Sequence, residues 1–119
     1  KTGEEIELPL EKLSTKKGTS AVYQLRFPKI GRYELVFRMS STLGELAQLP
    51  ISVFLNNTLQ QTVTLNGTEG QTMERVVTLP IRQDGEKYMK LYFGESGIDM
   101  HRMFLRYAGK NDIESFRNE

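Results

Sequence analysis

The chain has 119 residues, 16 Lys and Arg against 15 Asp and Glu for a formal charge of +1, and neither Cys nor Trp. That length fits one domain and excludes a second full core, since compact domains run roughly 100–200 residues. The near balance of charge supplies no field to steer a polyanion, so nucleic acid is not an expected partner, and the lack of Cys excludes disulfides and thiolate metal sites.

No apolar run is longer than a few residues, as in Leu35-Val36-Phe37, far below the roughly 20 that cross a bilayer as a helix. No membrane partner is expected. The chain opens at Lys1-Thr2-Gly3 without a basic and apolar leader. It is read as a mature or excised fragment, with any export signal upstream.

Short β-type runs punctuated by Gly, Pro, Asn and Ser recur about every 8–12 residues, the spacing of an antiparallel sandwich. Strands are expected near residues 4–10, 20–27, 32–40, 50–56, 59–65, 73–81, 86–93 and 98–107. Pro28 to Gly31 forms a turn between the second and third. In the third, Tyr33, Leu35, Phe37 and Met39 alternate with Arg32, Glu34 and Arg38, so one face turns inward. Ile51, Val53 and Leu55 do the same in the fourth, with Phe54 breaking the polar side. Asn56-Asn57 joins the fourth and fifth strands, and Asn tolerates the positive φ of a two-residue type I′ turn. A longer loop follows at Asn66-Gly67-Thr68-Glu69-Gly70. Met73, Val77 and Leu79 set the inner face of the sixth strand. After the turn at Gln83-Asp84-Gly85-Glu86, Met89, Leu91 and Phe93 set that of the seventh, with Tyr92 breaking its polar side. Beyond Gly109 the character changes: Asn111 and Glu114 have capping-box spacing, but too little chain remains for a stable helix. Residues 1–109 are expected as the domain and 110–119 as a tail or linker.

The run from Gly18 to Ser41, with a strand ending at Pro28 and then Ile30-Gly31-Arg32-Tyr33 before alternation reaching Arg38, resembles the carbohydrate-binding modules of families 6 and 35. The likeness continues through Ile51 to Asn56, the loop 66–70 before Val77-Thr78-Leu79-Pro80, and Ser96-Gly97-Ile98-Asp99-Met100. It covers most of residues 5–107 and rests on the order and spacing of these segments. The resemblance implies an all-β, two-sheet antiparallel jelly-roll of the galactose-binding type. It also implies an accessory module linked to a catalytic domain, commonly a glycoside hydrolase, in an exported bacterial protein that is secreted, periplasmic or on the cell surface. The partner so implied is an oligo- or polysaccharide.

In such modules a sugar ring commonly stacks between aromatic side chains at the loop end of the sandwich, while an Asn addresses its hydroxyls. Matched by position, the first aromatic falls at Ser20, the second near Gln71, and the Asn at Asp99; Met73 offers a softer apolar surface beside Gln71. None of the three matched positions keeps the usual residue type. Some members instead bind on the face of one sheet, for which Phe54 and Tyr92 are the candidates; coverage of both by loops is the other reading. These families also carry a structural calcium near the chain start, with a Glu-x-Glu pair among its ligands. Glu5-Ile6-Glu7 matches that pair, and carboxylates two apart on a strand project to one side. A solvated acidic strand is the alternative.

Catalysis has little support in the pattern. His101 is the sole imidazole, and its closeness in sequence to Ser96 and Asp99 is no sign of a triad, which is recognised in three dimensions. Asp84, Glu86, Glu95 and Asp99 fall at strand ends or turns, where acids serve solubility and turn geometry. Asn56-Asn57-Thr58 and Asn66-Gly67-Thr68 match a glycosylation acceptor, but turn chemistry already accounts for each Asn. The expected function is a non-catalytic carbohydrate-binding module, with a scaffold that packs on a neighbouring catalytic domain as the alternative.

Overall fold

The computed structural model describes residues 5–110; the candidate helix cap at Asn111 and Glu114 lies outside them. Eight strands fill the described chain: β1 (Glu5–Glu7), β2 (Thr19–Phe27), β3 (Gly31–Ser40), β4 (Gln48–Leu55), β5 (Thr58–Asn66), β6 (Met73–Ile81), β7 (Gly85–Phe93) and β8 (Asp99–Gly109). Two antiparallel sheets of four form, ordered β1-β8-β3-β6 and β2-β7-β4-β5. Apart from the β4–β5 hairpin, successive strands pass back and forth between the layers, which is the jelly-roll expected above. β1 is shorter than expected because Pro9 cannot donate to a ladder; Leu8 N still bonds Met103 O at 2.9 Å.

Period-two alternation fixes which faces meet. Leu35, Phe37 and Met39 of β3 and Val77 and Leu79 of β6 pack from one side against Ile51 and Val53 of β4 and Met89, Leu91 and Phe93 of β7, all fully buried. Each such side chain contributes roughly 1.5–3 kcal/mol by leaving water. One rim of this core is aromatic. Tyr33 lies edge-on to Phe27 at 4.9 Å and to Tyr107 at 5.1 Å, and its hydroxyl donates to Lys29 O at 2.7 Å.

The turns read from sequence hold. Asn56 and Asn57 sit at φ 47° and 70°, as a type I′ hairpin requires, and the β4–β5 register runs on from Leu55↔Thr58 with a bulge between Val53 and Phe54. At the other end the loops 41–47 and 66–72 touch through backbone. A Cβ on Gly67 would stand 2.0 Å from Gly44 O, so only glycine lets the two loops approach.

One departure concerns the outer face of the first sheet. Val36 and Phe104 point away from the core on neighbouring strands, in register with each other, yet they are 0% and 3% exposed. Arginine side chains cover Phe104. The Arg102 guanidinium stacks 4.0 Å from the Phe104 ring centroid and that of Arg106 lies 5.9 Å away.

Candidate functional site

The outer face of the second sheet carries the exposed aromatics. Because Met89, Leu91 and Phe93 turn inward, Tyr88, Lys90 and Tyr92 must turn outward. Tyr88 is 56% and Tyr92 40% exposed. Four residues of strand separate them by roughly 13 Å, with Lys90 between. Cross-strand register completes the face: Ser20, Val22 and Gln24 of β2 stand opposite Tyr92, Lys90 and Tyr88, while Ser52 and Phe54 of β4 stand opposite Tyr92 and Lys90. Lys90 Nζ lies 4.6 Å from the centroid of the half-buried Phe54 ring. Coverage by loops, one of the two sequence readings, therefore fails for Tyr92, and Phe54 is capped by a flexible cation instead.

Short polar groups fill the spaces between the rings. The Ser52 and Thr62 hydroxyls bond each other at 2.9 Å, and Gln24 Nε2 donates to Glu86 Oε1 at 2.8 Å. The hairpin turn holds one end of the platform, since Asn56 N donates to Tyr88 O at 2.8 Å and Asn56 Oδ1 accepts from Tyr88 N at 2.9 Å. Flat, partly exposed rings among hydroxyls and amides suit a ligand with apolar C–H faces and many hydroxyl groups.

The loop-end candidates lie elsewhere. Asp99 pairs with Ser40 and Met73 with Met39 on opposite sides of β3, so the two backbones are separated by two strand spacings, roughly 10 Å. Gln71, two residues before Met73, closes its turn through Gln71 N to Thr68 O at 3.1 Å. Thus Gln71, Met73 and Asp99 share one end of the first sheet, whereas Ser20 faces Tyr92 on the second. None of the segments 41–47, 66–73 and 94–101 contains Phe, Tyr or Trp. Among the described residues, these segments therefore offer a sugar no phenyl, phenol or indole ring.

His101 joins the same end. Its Nε2 lies 2.7 Å from Ser40 Oγ, not from Ser96, whose Oγ accepts from Lys17 N at 2.8 Å. The sequence-local trio Ser96, Asp99 and His101 is therefore not assembled through Ser96.

Glu5 and Glu7 do project to one side of β1, as period two requires, and the group between them is Arg102. Arg102 Nη2 donates to Glu5 Oε1 at 2.8 Å and Nε to Glu7 Oε1 at 2.5 Å. Those two bonds, that to Glu7 first, hold the guanidinium pKa above its ordinary value. Calcium takes 6–8 oxygen ligands; here two carboxylates already face a cation, and no cluster of three His, Cys, Asp or Glu with metal-binding geometry occurs among the described residues. Among the described residues this pair faces a guanidinium. The sequence could not show it, because Arg102 lies 95 residues from Glu7.

Tyr88, Lys90 and Val22 were not picked out by sequence reasoning. Parity could have found the first two, since Tyr88 and Lys90 share the side of β7 that Tyr92 was seen to break. Val22 required the β2–β7 register.

No protein-family model matches the chain. A β-glucosidase of Ruminococcus albus is 26% identical over 102 residues, which is 86% of this chain and 11% of that enzyme. The chain thus spans about a tenth of the length of that relative. Among solved structures, the family 35 carbohydrate-binding module from Clostridium thermocellum superposes with a TM-score of 0.62 at 14% identity, covering 88% of each chain. A family 6 module of Cellvibrio mixtus lichenase 5A, solved in complex with cellotriose, gives a TM-score of 0.62 at 13% identity over 92% of this chain and 91% of that one. At these identities the likeness establishes the shared jelly-roll fold.

Proposed function

We infer that the chain is a non-catalytic carbohydrate-binding module of an exported bacterial polysaccharide-active enzyme, and that glycan docks on the outer face of its second sheet. One observation carries this: Tyr88 and Tyr92 stand exposed on one strand, flanked in register by Phe54, Ser52, Val22 and Ser20. Two further lines support it, namely the fold shared with family 35 and family 6 modules and the partial likeness to a much longer β-glucosidase. A sugar ring laid on a tyrosine buries its C–H face, and the neighbouring hydroxyls and amides exchange hydrogen bonds with its rim. Such a module works through proximity: even weak affinity raises the local concentration of a linked catalytic domain at its polymer.

The test is calorimetric titration of the protein with a panel of oligosaccharides from β-glucan, xylan, mannan and galactan. Saturable binding to at least one is expected. Tyr92→Ala and Tyr88→Ala should each weaken it by up to about tenfold, the upper range for one aromatic contact, while Asp99→Ala and Gln71→Ala leave it unchanged. Loss through Asp99 or Gln71 with the tyrosines silent would move the site to the loop end, and silence of the whole panel would overturn the reading.

A further inference from the structure

Beside β2 runs a groove of about 500 Å³, lined by Pro9, Glu11, Lys12, Ser20, Val22 and Tyr23 among others. Two features of the fold create it. β2 is an edge strand, paired on one side with β7 and, among the described residues, with no strand on the other. The segment 8–13, crossing from one sheet to the other, is held beside that free edge because Tyr23 Oη donates to Pro9 O at 2.7 Å. Leu8, Leu10 and Leu13 pack against the core, which leaves Pro9, Glu11 and Lys12 exposed along the groove.

Resting on the assignment of the tyrosine face to glycan, we propose that this groove is a second carbohydrate subsite continuous with that face, so that the ligand is the interior of a neutral polysaccharide chain. Continuity follows from register. Ser20 and Val22 line the groove and also stand directly opposite Tyr92 and Lys90, where side chains on one face are about 5 Å apart. The small side chain of Ser20 leaves the passage from groove to face open, at the position where the resemblance placed a stacking ring. From the groove, across β2 and β7, to Phe54 on β4 is about three strand spacings, roughly 14 Å. That is more than one sugar ring can cover.

The chemistry of the groove matches a hydroxylated, uncharged chain. The Pro9 ring and the Val22 methyls, 60% exposed, offer apolar contact to C–H faces. Ser20, Glu11 and Lys12 offer acceptors and donors to hydroxyls. One carboxylate and one ammonium leave the groove without net charge, so it carries no electrostatic preference for an acidic polymer.

The experiment compares di- and hexasaccharides of β-glucan, xylan, mannan and galactan by calorimetry. The native protein should bind a hexasaccharide at least tenfold more tightly than the matching disaccharide. The double variant Glu11→Ala/Lys12→Ala should weaken the hexasaccharide threefold or more and leave the disaccharide unchanged, whereas Tyr92→Ala weakens both. As an independent readout, the Glu11 and Lys12 amide resonances should shift with the hexasaccharide and not with the disaccharide. Equal affinity for short and long ligands, or a groove variant without effect where Tyr92→Ala still acts, would overturn the groove and spare the face. Silence of every glycan would overturn both.

Discussion

Arg102 bonds both Glu5 and Glu7, offsetting one of their two charges, and ties β1, three residues long, to β8. Its guanidinium also stacks on Phe104, which points to the outer face. Coulomb attraction between exposed charges is small in water, so the combination of two carboxylates, a stacked ring and an edge strand matters more than any one pair. Two outcomes are expected in thermal melts. A chelator leaves the native melting temperature unchanged, and Arg102→Ala lowers it, with faster amide exchange at Leu8. A chelator-sensitive native protein would contradict this account of the pair.

The β4–β5 hairpin links turn chemistry to the candidate site. Both central residues need positive φ, and Asn56 adds two hydrogen bonds that fix the backbone of Tyr88. Replacing Asn57 by Ala removes only the tolerance for that conformation, a cost of about 1 kcal/mol. Asn56→Ala also removes the side-chain acceptor of Tyr88 N and should cost about 2 kcal/mol. Chemical denaturation of both variants checks the order. Because Tyr88 is held by this turn, glycan affinity should fall in Asn56→Ala and stay near native in Asn57→Ala.

Across the molecule the two outer faces differ in kind. That of the first sheet is laced with ion pairs, Arg38 with Glu74, Arg106 and Arg32 with Glu34, and Arg102 with Glu5 and Glu7. That of the second sheet carries exposed rings and hydroxyls. Acid should therefore weaken the fold from the first sheet. The hydrogen bond from Arg38 holds the Glu74 carboxyl below the ordinary glutamate value of 4.5. A carboxyl lowered by folding stabilises above its unfolded pKa and loses that contribution as pH falls through the folded value. Stability should thus decline on the acid side of 4.5, and less steeply in Glu74→Gln; identical pH profiles for the two proteins would refute the assignment.

Alternation of Tyr33, Leu35, Phe37 and Met39, and its counterparts in β4 and β7, was enough to fix the inner faces, because a strand presents successive residues to opposite sides whatever its neighbours are. Asn56-Asn57 fixed its turn for an equally local reason, a backbone conformation few residues accept. Phe54 and Tyr92 stood out by the same parity. Which strands lie side by side is a long-range matter, and it decided the rest. Pairing of β2 with β7 brought Ser20 to Tyr92 rather than to Gln71 and Asp99, and folding of β8 against β1 gave Glu5 and Glu7 a guanidinium. Neither could be read along the chain, since period and turn chemistry act over a few residues whereas these contacts join segments some seventy to a hundred residues apart.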